Sequence, residues 1–155
     1  MPVRRYRPDD ASRLSDIYKA AVLVIGARYY SPDQLRAWAA LAPTPKRFAE
    51  LMGDGRIALV ATDKDDQAVA FADLEPDGHI HFLYAAPEAA GTGAVSTLYD
   101  RLEEKARDLG FIRLYAEASE AALRFFLKKG FTKTARREFE VEGVPIHNYA
   151  VEKRL

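Results

Sequence analysis

Four titratable residues near the middle of the sequence have the types and spacing of proton-transfer groups. Asp73 and Glu75 lie in one β-rich run and His79 and His81 in the next. Alternation along a strand would put His79, His81 and Leu83 on one face. The ordinary pKa of histidine suits base chemistry near neutral pH, so we take His81 and Glu75 as candidate general bases, although structural roles in the sheet remain the simpler interpretation. A metal at His79 and His81 is not favoured, because no third ligand lies nearby in the sequence.

A glycine-bearing loop, Pro87–Gly93, precedes a long helical pattern and is the second chemical feature. Free N–H groups at a helix N-terminus attract phosphate, and glycine lets the backbone approach it closely. Gly91 and Gly93 are equally compatible with a simple tight turn. A nucleoside-triphosphate loop is not supported, because no lysine follows Gly93. Ser96 stands where a dinucleotide fingerprint needs its third glycine, so a nicotinamide-dinucleotide site is a weaker third interpretation.

Hydrophobic spacing and cap signals predict the elements that must position these residues. Cap-then-proline pairs at Ser31-Pro32 and Thr44-Pro45 mark two helix starts, and short connections make the three central strands antiparallel neighbours. The predicted strands are 3–6, 57–62, 68–74, 79–85, 112–117, 131–141 and 144–151, and the predicted helices begin near 9, 32, 45, 94 and 120. The resulting fold is α/β, a mixed and mainly antiparallel sheet flanked by helices, in the order β-α-α-α-β-β-β-α-β-α-β-β.

Composition narrows the class of protein further. The 155 residues contain 23 Lys and Arg against 23 Asp and Glu, so the net charge is zero and offers no footprint for nucleic acid or an anionic membrane. The absence of cysteine excludes disulfides, thiolate nucleophiles and cysteine-based zinc sites. With no apolar leader and no apolar run long enough for a bilayer, we expect a cytoplasmic protein formed by one domain over residues 1–155.

The order of elements and several sequence blocks resemble the GNAT superfamily of acetyl-CoA-dependent N-acetyltransferases, over essentially the whole chain. The first block is Leu83-Tyr84-Ala85-Ala86-Pro87 with the glycine loop and the start of the long helix. The second is Glu117-Ala118-Ser119 followed by a short helix that ends in Gly130-Phe131. The segment from Tyr29 to Trp38 resembles the substrate-side helices of one bacterial branch.

The resemblance implies a site for acetyl-CoA and for an amine acceptor. Pantetheine would pair with backbone around Tyr84, which is also where N–H groups could polarise the thioester carbonyl, and the pyrophosphate would lie on the glycine loop. The implied cofactor residues are Leu83, Tyr84, Ala85, Ala90, Gly91, Thr92, Gly93, Ala94, Val95, Ser119, Phe125 and Lys128, and the implied acceptor residues are Tyr29, Tyr30 and Trp38. In the family's loop pattern, Ala90, Gly93 and Val95 take the three defined positions, and a register of Glu88, Gly91 and Gly93 is the alternative.

The function predicted is transfer of an acetyl group from acetyl-CoA to a primary amine of a small molecule or protein, with His81, Glu75 and Tyr84 as the candidate catalytic residues. The position of the family's acidic tyrosine holds Phe126, so solvent would protonate the leaving thiolate. A CoA-binding or ligand-sensing domain that kept the fold and lost turnover is the alternative. We expect no metal, no nucleic-acid or membrane partner, and a monomer or homodimer.

Overall fold

The local signals in the sequence account for most elements of the computed structural model, which describes residues 1–155. The elements follow the predicted order, with one predicted strand divided in two. The strands are β1 (Val3–Arg5), β2 (Ile57–Thr62), β3 (Ala68–Leu74), β4 (His79–Ile80), β5 (Leu83–Ala85), β6 (Arg113–Ala118), β7 (Thr132–Val141) and β8 (Val144–Arg154). The α-helices are α1 (Ala11–Ala20), α2 (Pro32–Ala39), α3 (Pro45–Met52), α4 (Ala94–Asp108) and α5 (Glu120–Lys128).

Side-chain caps begin α2 and α3 where the sequence predicts them. The Ser31 hydroxyl accepts a hydrogen bond from Gln34 N at 3.2 Å, and Gln34 Oε1 accepts from Ser31 N at 2.9 Å, which completes a capping box. The Thr44 hydroxyl accepts from Arg47 N at 3.1 Å. Proline at the first position of each helix has no N–H that would need a partner.

The first helix is less regular than its hydrophobic spacing predicts. The α-helix ends at Ala20, continues as a π-helical turn over Ala21–Ile25, and finishes with a 3₁₀ turn over Gly26–Arg28. A Cβ atom on Gly26 would lie 2.8 Å from Leu35 Cδ2, so the glycine allows α2 to approach closely. Wide helical turns of this kind occur frequently at functional sites.

The strands form two sheets, and each is mainly antiparallel. The first sheet has the order β1-β2-β3-β5 and the second β4-β6-β8-β7, and only the β4–β6 pair is parallel. The predicted α/β class with a mixed, mainly antiparallel arrangement is confirmed. The family resemblance implied a V-shaped opening between the strand that ends at Ala85 and the strand predicted over 112–117. It did not indicate that the division would fall inside the strand predicted over 79–85, where the structure has β4 and β5.

Two hydrophobic clusters cover opposite faces of the first sheet. One contains Leu98 and Leu102 from α4, and the other contains Leu14 from α1 and Phe48 from α3. All seven residues of β3 are buried, because helices cover both of its faces. No helix is long and apolar enough to cross a membrane.

Candidate active site

A buried carboxylate fills the break between β4 and β5. Asp73 Oδ1 accepts hydrogen bonds from the peptide N–H groups of His81 at 2.9 Å and Phe82 at 2.7 Å, and Oδ2 accepts from Arg56 Nη1 at 2.7 Å. The Asp73 side chain is 0% exposed. Burial raises its pKa, while the N–H donors and Arg56 act in the opposite direction by stabilising the carboxylate. Because this side chain takes two consecutive N–H groups, the strand cannot continue its ladder and divides between the sheets.

The division leaves one edge of β5 open. β4 pairs with β6, whereas β5 pairs only with β3. On either side of β5, the Phe82 carbonyl accepts a hydrogen bond from Asp73 N and the Ala86 N–H donates to the Val69 carbonyl. Antiparallel strands exchange hydrogen bonds at alternate residues, so the peptide group of Tyr84 faces β3. The peptide groups of Leu83 and Ala85 therefore face the opening between β5 and β6, where no strand pairs with them.

Free backbone N–H groups collect in the glycine loop before α4. Those of Gly91, Gly93, Val95 and Ser96 have no acceptor within the chain. Gly91 and Gly93 have φ values of 77° and 86°, in the left-handed region. A Cβ atom added at either glycine would meet nothing within 4 Å, so the space above them is open. Four such N–H groups at the positive end of a helix dipole form a cradle suited to phosphate.

Two cavities meet at the opening. The hairpin cavity, of about 230 Å³, lies against the β7–β8 hairpin, and the loop cavity, of about 250 Å³, lies beside the glycine loop. Both are lined by Trp38, Leu83, Tyr84, Ser119 and Ala122. Together they form a groove that runs from the phosphate cradle, past the open edge of β5, to the hairpin.

A chain of charged side chains lies beneath the hairpin cavity. His79 Nδ1 is 2.7 Å from Glu75 Oε1, and His79 Nε2 is 2.9 Å from Glu117 Oε1. The bonds with Glu117 and Glu75 raise the pKa of His79 to about 9, so His79 is a cation near neutral pH. The bond with His79 lowers the pKa of Glu117, which is therefore ionised. The resulting group of two carboxylates and one imidazolium carries a net negative charge.

His81 is the exposed member of this region and stays uncharged near neutral pH. Its ring stacks on that of His79 with 5.6 Å between the centroids. Partial burial lowers the pKa of His81, and the nearby charge of His79 acts in the same direction. The side chain is 46% exposed and lines the hairpin cavity together with Glu117. A neutral imidazole beside an anionic carboxylate can accept a proton from an ammonium group held by that carboxylate.

The same region contains three side chains that could ligate a metal cation, but the guanidinium of Arg56 already supplies the positive charge there. Ligand atoms of Asp73, Glu75 and His81 lie within 4.8 Å of one another. The guanidinium of Arg56 lies 2.7 Å from Asp73 Oδ2 and 3.9 Å from Glu75 Oε1. Its side chain is only 6% exposed, so a positive charge is already built in beside both carboxylates.

A second polar cluster, which the sequence patterns did not indicate, joins β8 to the start of α5. Glu120 Oε1 accepts hydrogen bonds from the Tyr149 hydroxyl and, at 2.8 Å, from His147 Nε2. These bonds lower the pKa of Glu120. The Tyr30 hydroxyl accepts from Glu120 N at 2.9 Å and donates to the His147 carbonyl at 3.2 Å. The one available signal was that His147 and Tyr149 share a face of the predicted last strand.

Most of the residues singled out from the sequence lie along the groove. The hairpin cavity is lined by His81, Leu83, Tyr84, Tyr30, Trp38 and Ser119. The loop cavity is lined by Leu83, Tyr84, Ala85, Ala90, Gly91, Val95, Ser119, Phe125 and Trp38. Thr92, Gly93 and Ala94 belong to the glycine loop and the first residue of α4.

Three of the predicted residues lie away from the groove. Glu75, Tyr29 and Lys128 line neither cavity. Tyr29 and Lys128 are exposed, and Glu75 is bound to His79. The lysine nearest the first turn of α4 is Lys129, whose Nζ donates to Ser96 Oγ and Asp100 Oδ1 at 2.8 Å each.

Comparison with known proteins agrees with this architecture. The fold and its open strand edge define an acyltransferase class, and residues 27–153 match the family model described as an acetyltransferase (GNAT) domain. The chain therefore belongs to the GNAT family of acetyltransferases, as the sequence blocks predicted.

Individual relatives cover nearly the whole chain. It is similar to a GCN5-related N-acetyltransferase from Rhodopseudomonas palustris, with 33% identity, a TM-score of 0.90, and coverage of 99% of this chain and 95% of that one. The uncharacterized N-acetyltransferase YafP of Escherichia coli is 26% identical over 147 residues, 95% of this chain and 91% of the relative. PaiA N-acetyltransferase from Thermoplasma acidophilum, solved with coenzyme A, shares the fold at 16% identity and a TM-score of 0.80, covering 99% and 98% of the two chains.

Proposed function

We propose that this protein transfers the acetyl group of acetyl-CoA to a primary amine. The proposal rests on one observation: the loop cavity, which suits a cofactor, and the hairpin cavity, which suits an acceptor, meet beside β5. The open edge of β5 and the phosphate cradle lie along the loop cavity, and His81 and Glu117 line the hairpin cavity. Leu83 and Tyr84 line both cavities, so a thioester at this point would lie beside a base and an anion.

The residues of the groove fit the parts of coenzyme A. The free N–H groups of Gly91, Gly93, Val95 and Ser96 suit a pyrophosphate, and the open space above the glycines leaves room for it. The peptide groups of Leu83 and Ala85 suit the pantetheine amides, which would pair with them as an added strand does. The proposed cofactor contacts are Leu83, Ala85, Ala90, Gly91, Thr92, Gly93, Ala94, Val95, Ser119 and Phe125, with Lys128 or Lys129 near the 3′-phosphate.

Transfer requires a neutral amine, a polarised carbonyl and a stabilised thiolate. Acetyl-CoA supplies the thioester: the amine nitrogen attacks its carbonyl carbon, the C–N bond forms and the C–S bond breaks. The surplus proton on nitrogen is lost to solvent, and solvent returns a proton to the leaving thiolate, which gives the amide and CoA. His81 takes the proton of the ammonium group, directly or through water, because its lowered pKa leaves the imidazole free. The Leu83 N–H faces the opening and can polarise the carbonyl. Burial raises the pKa of Tyr84 well above its usual value, so its hydroxyl stays protonated and can donate a hydrogen bond to sulfur.

The roles of the other candidates follow from their positions. Glu75 holds His79, which in turn holds Glu117, so we place Glu75 as a positioning residue. Tyr30 and Trp38 make an edge-to-face pair at 5.3 Å and form one wall of the acceptor space.

A CoA-binding domain without turnover is the second candidate, and Phe126 favours it. This residue is buried and lines the hairpin cavity without any group that could protonate a thiolate. The two candidates share the cofactor site and differ only in whether acetyl-CoA is consumed.

Thermal unfolding with acetyl-CoA, CoA or NADH tests the cofactor site. At a hundredfold excess over Kd, a bound ligand adds about 2.7 kcal/mol, and at about 2–4 °C per kcal/mol for a chain of this size the shift is about 5–11 °C. We expect a shift with both CoA forms and none with NADH. Thiol release from acetyl-CoA in the presence of amines then separates the enzyme from the non-catalytic domain. No shift with either CoA form would contradict the proposal.

A further inference from the structure

The charges of the hairpin cavity restrict which charged groups the acceptor molecule can have. This inference rests on the proposed function. Glu117 is the only carboxylate that lines the cavity, and no lysine or arginine lines it. Just outside the lining, Glu120 is bound by His147 and Tyr149, and Arg137 donates to Asn148 at 3.1 Å. The His79 cation lies behind Glu117 and is shared between Glu117 and Glu75, so this group keeps a net negative charge. The lining therefore offers an anionic group for a single ammonium group, and it holds no lysine or arginine for a carboxylate.

The outer part of the cavity is apolar. Leu41 after α2 and Phe139 on β7 are exposed, by 53% and 36%, and both line the cavity with Trp38, Val141 and Ile146. Large apolar side chains exposed around a concave site are typical of ligand contacts. An acceptor whose ammonium group lies at Glu117 would direct the rest of the molecule towards this apolar mouth.

The size of the cavity limits how much of that molecule can be enclosed. Its volume of about 230 Å³ is below the range of about 300–1,000 Å³ that holds drug-sized ligands. A short chain or a single ring fits this space together with the amine.

We propose that the acceptor is a primary monoamine with a short apolar tail, an aralkyl or alkyl amine without a carboxylate or a second ammonium group. An α-amino acid would bring a carboxylate into a cavity that holds only an opposing carboxylate. A diamine would place its second ammonium group at the apolar mouth beside Leu41, Phe139 and Trp38, where no second carboxylate lines the cavity. Moving a charge from water onto apolar side chains without a partner is unfavourable, so both classes are disfavoured by partial desolvation and by the charge pattern rather than by shape.

Matched pairs of acceptors test the class directly. The first pair is 2-phenylethylamine and phenylalanine, which differ by one carboxylate. The second pair is hexylamine and 1,6-diaminohexane, which differ by one amine. A peptide with a free N-terminus completes the set. We expect kcat/KM for each monoamine to exceed that of its partner and of the peptide at least tenfold, and calorimetric titration of the protein–CoA complex to give the same order of affinity.

Charge substitutions at the exposed mouth provide the reciprocal test. Leu41→Arg supplies the missing cation, so the preference for 2-phenylethylamine over phenylalanine should fall at least threefold. Leu41→Glu supplies a second anion, so the preference for hexylamine over 1,6-diaminohexane should fall at least threefold. Leu41→Met is the uncharged control that keeps the mouth apolar, and it should change neither ratio. Because Leu41 is exposed, these variants are expected to fold, and unchanged unfolding midpoints check that they do.

The outcomes separate this inference from the proposed function. Acetyl transfer that favours phenylalanine, the diamine or the peptide would overturn the acceptor class and leave the transferase intact. Preferential binding of monoamines to the CoA complex without any acetyl transfer would support the acceptor class and overturn the transferase. Neither binding nor transfer of any amine would overturn both.

Discussion

Replacing the buried carboxylate at the strand break tests whether Asp73 organises the site. Asp73→Asn keeps the size of the side chain and one oxygen for the N–H groups of His81 and Phe82, but it leaves Arg56 without a buried counter-charge. Removing one partner of a buried ion pair costs about 3–5 kcal/mol, and because the amide retains one acceptor we expect about 2–4 kcal/mol. At about 2–4 °C per kcal/mol, the unfolding midpoint should fall by roughly 4–16 °C.

Asp54→Asn is the matched control, because Asp54 binds the same guanidinium at 2.9 Å from a side chain that is 45% exposed. An exposed ion pair contributes about 0–1 kcal/mol, so this variant should unfold close to the unaltered protein. We also expect Asp73→Asn to lower kcat/KM about tenfold to a hundredfold through misplacement of His81. Urea unfolding and steady-state kinetics measure the two effects. Equal stability and equal kcat/KM for the two variants would refute the role given to Asp73.

Three further predictions concern the cradle and the two histidines. Gly93→Asp should weaken CoA binding at least tenfold more than Gly93→Ala, because both strain the same positive φ and only aspartate adds a charge that repels the pyrophosphate; equal calorimetric Kd values would exclude the cradle. His79 has a folded pKa of about 9, above its unfolded value of about 6.5, so its contribution to stability is complete below about pH 6.5 and lost as the pH rises through 9. The urea midpoint should therefore fall over this range by more in the unaltered protein than in His79→Gln, and parallel curves would contradict the pairing with Glu117. His81→Ala should lower kcat and remove the limb of the pH–rate profile below pH 6.5 without changing the Kd for CoA, and an unaltered profile would show that another group accepts the proton.

Local signals made the elements predictable, because caps and hydrophobic spacing act over three or four residues. Ser31 and Thr44 cap the helices that their sequence contexts indicate. The family resemblance made the cofactor groove predictable as well, since the glycine loop and the strand before it are adjacent in the sequence. Contacts between distant parts of the sequence were not predictable in this way, and they determine the chemistry.

The broken strand shows why sequence reasoning failed at the centre of the site. Alternation predicts that His81 and Leu83 face one side and that Ile80, Phe82 and Tyr84 face the other. This prediction is wrong across the break, because Ile80 packs with Leu83 in the cluster that contains α4, whereas Phe82 and Tyr84 pack in the cluster that contains α1 and α3. The cause is the Asp73 carboxylate, which lies on the neighbouring strand and accepts both N–H groups at the break. The hydrophobic pattern of residues 79–85 gives no sign of that carboxylate, because Asp73 lies outside the segment.

The charge states of the histidines were also hidden from the sequence. His79 is paired with Glu117, 38 positions later in the chain, and this contact makes His79 a cation while His81 stays neutral. Two histidines that alternation places on the same face of one strand thus take opposite charge states. Only the parallel pairing of β4 with β6 brings the second carboxylate into reach.

The open edge of β5 also has a consequence for association between copies of the chain. An unpaired strand edge is a template on which another strand can add, and proteins usually block such edges to avoid aggregation. Here the unpaired groups of Leu83 and Ala85 face the opening between β5 and β6 rather than the outer surface, so an added strand would have to enter that opening together with its side chains. The geometry that leaves this edge available to a slender ligand therefore disfavours strand addition at β5, in contrast to β7, which forms the outer edge of the second sheet.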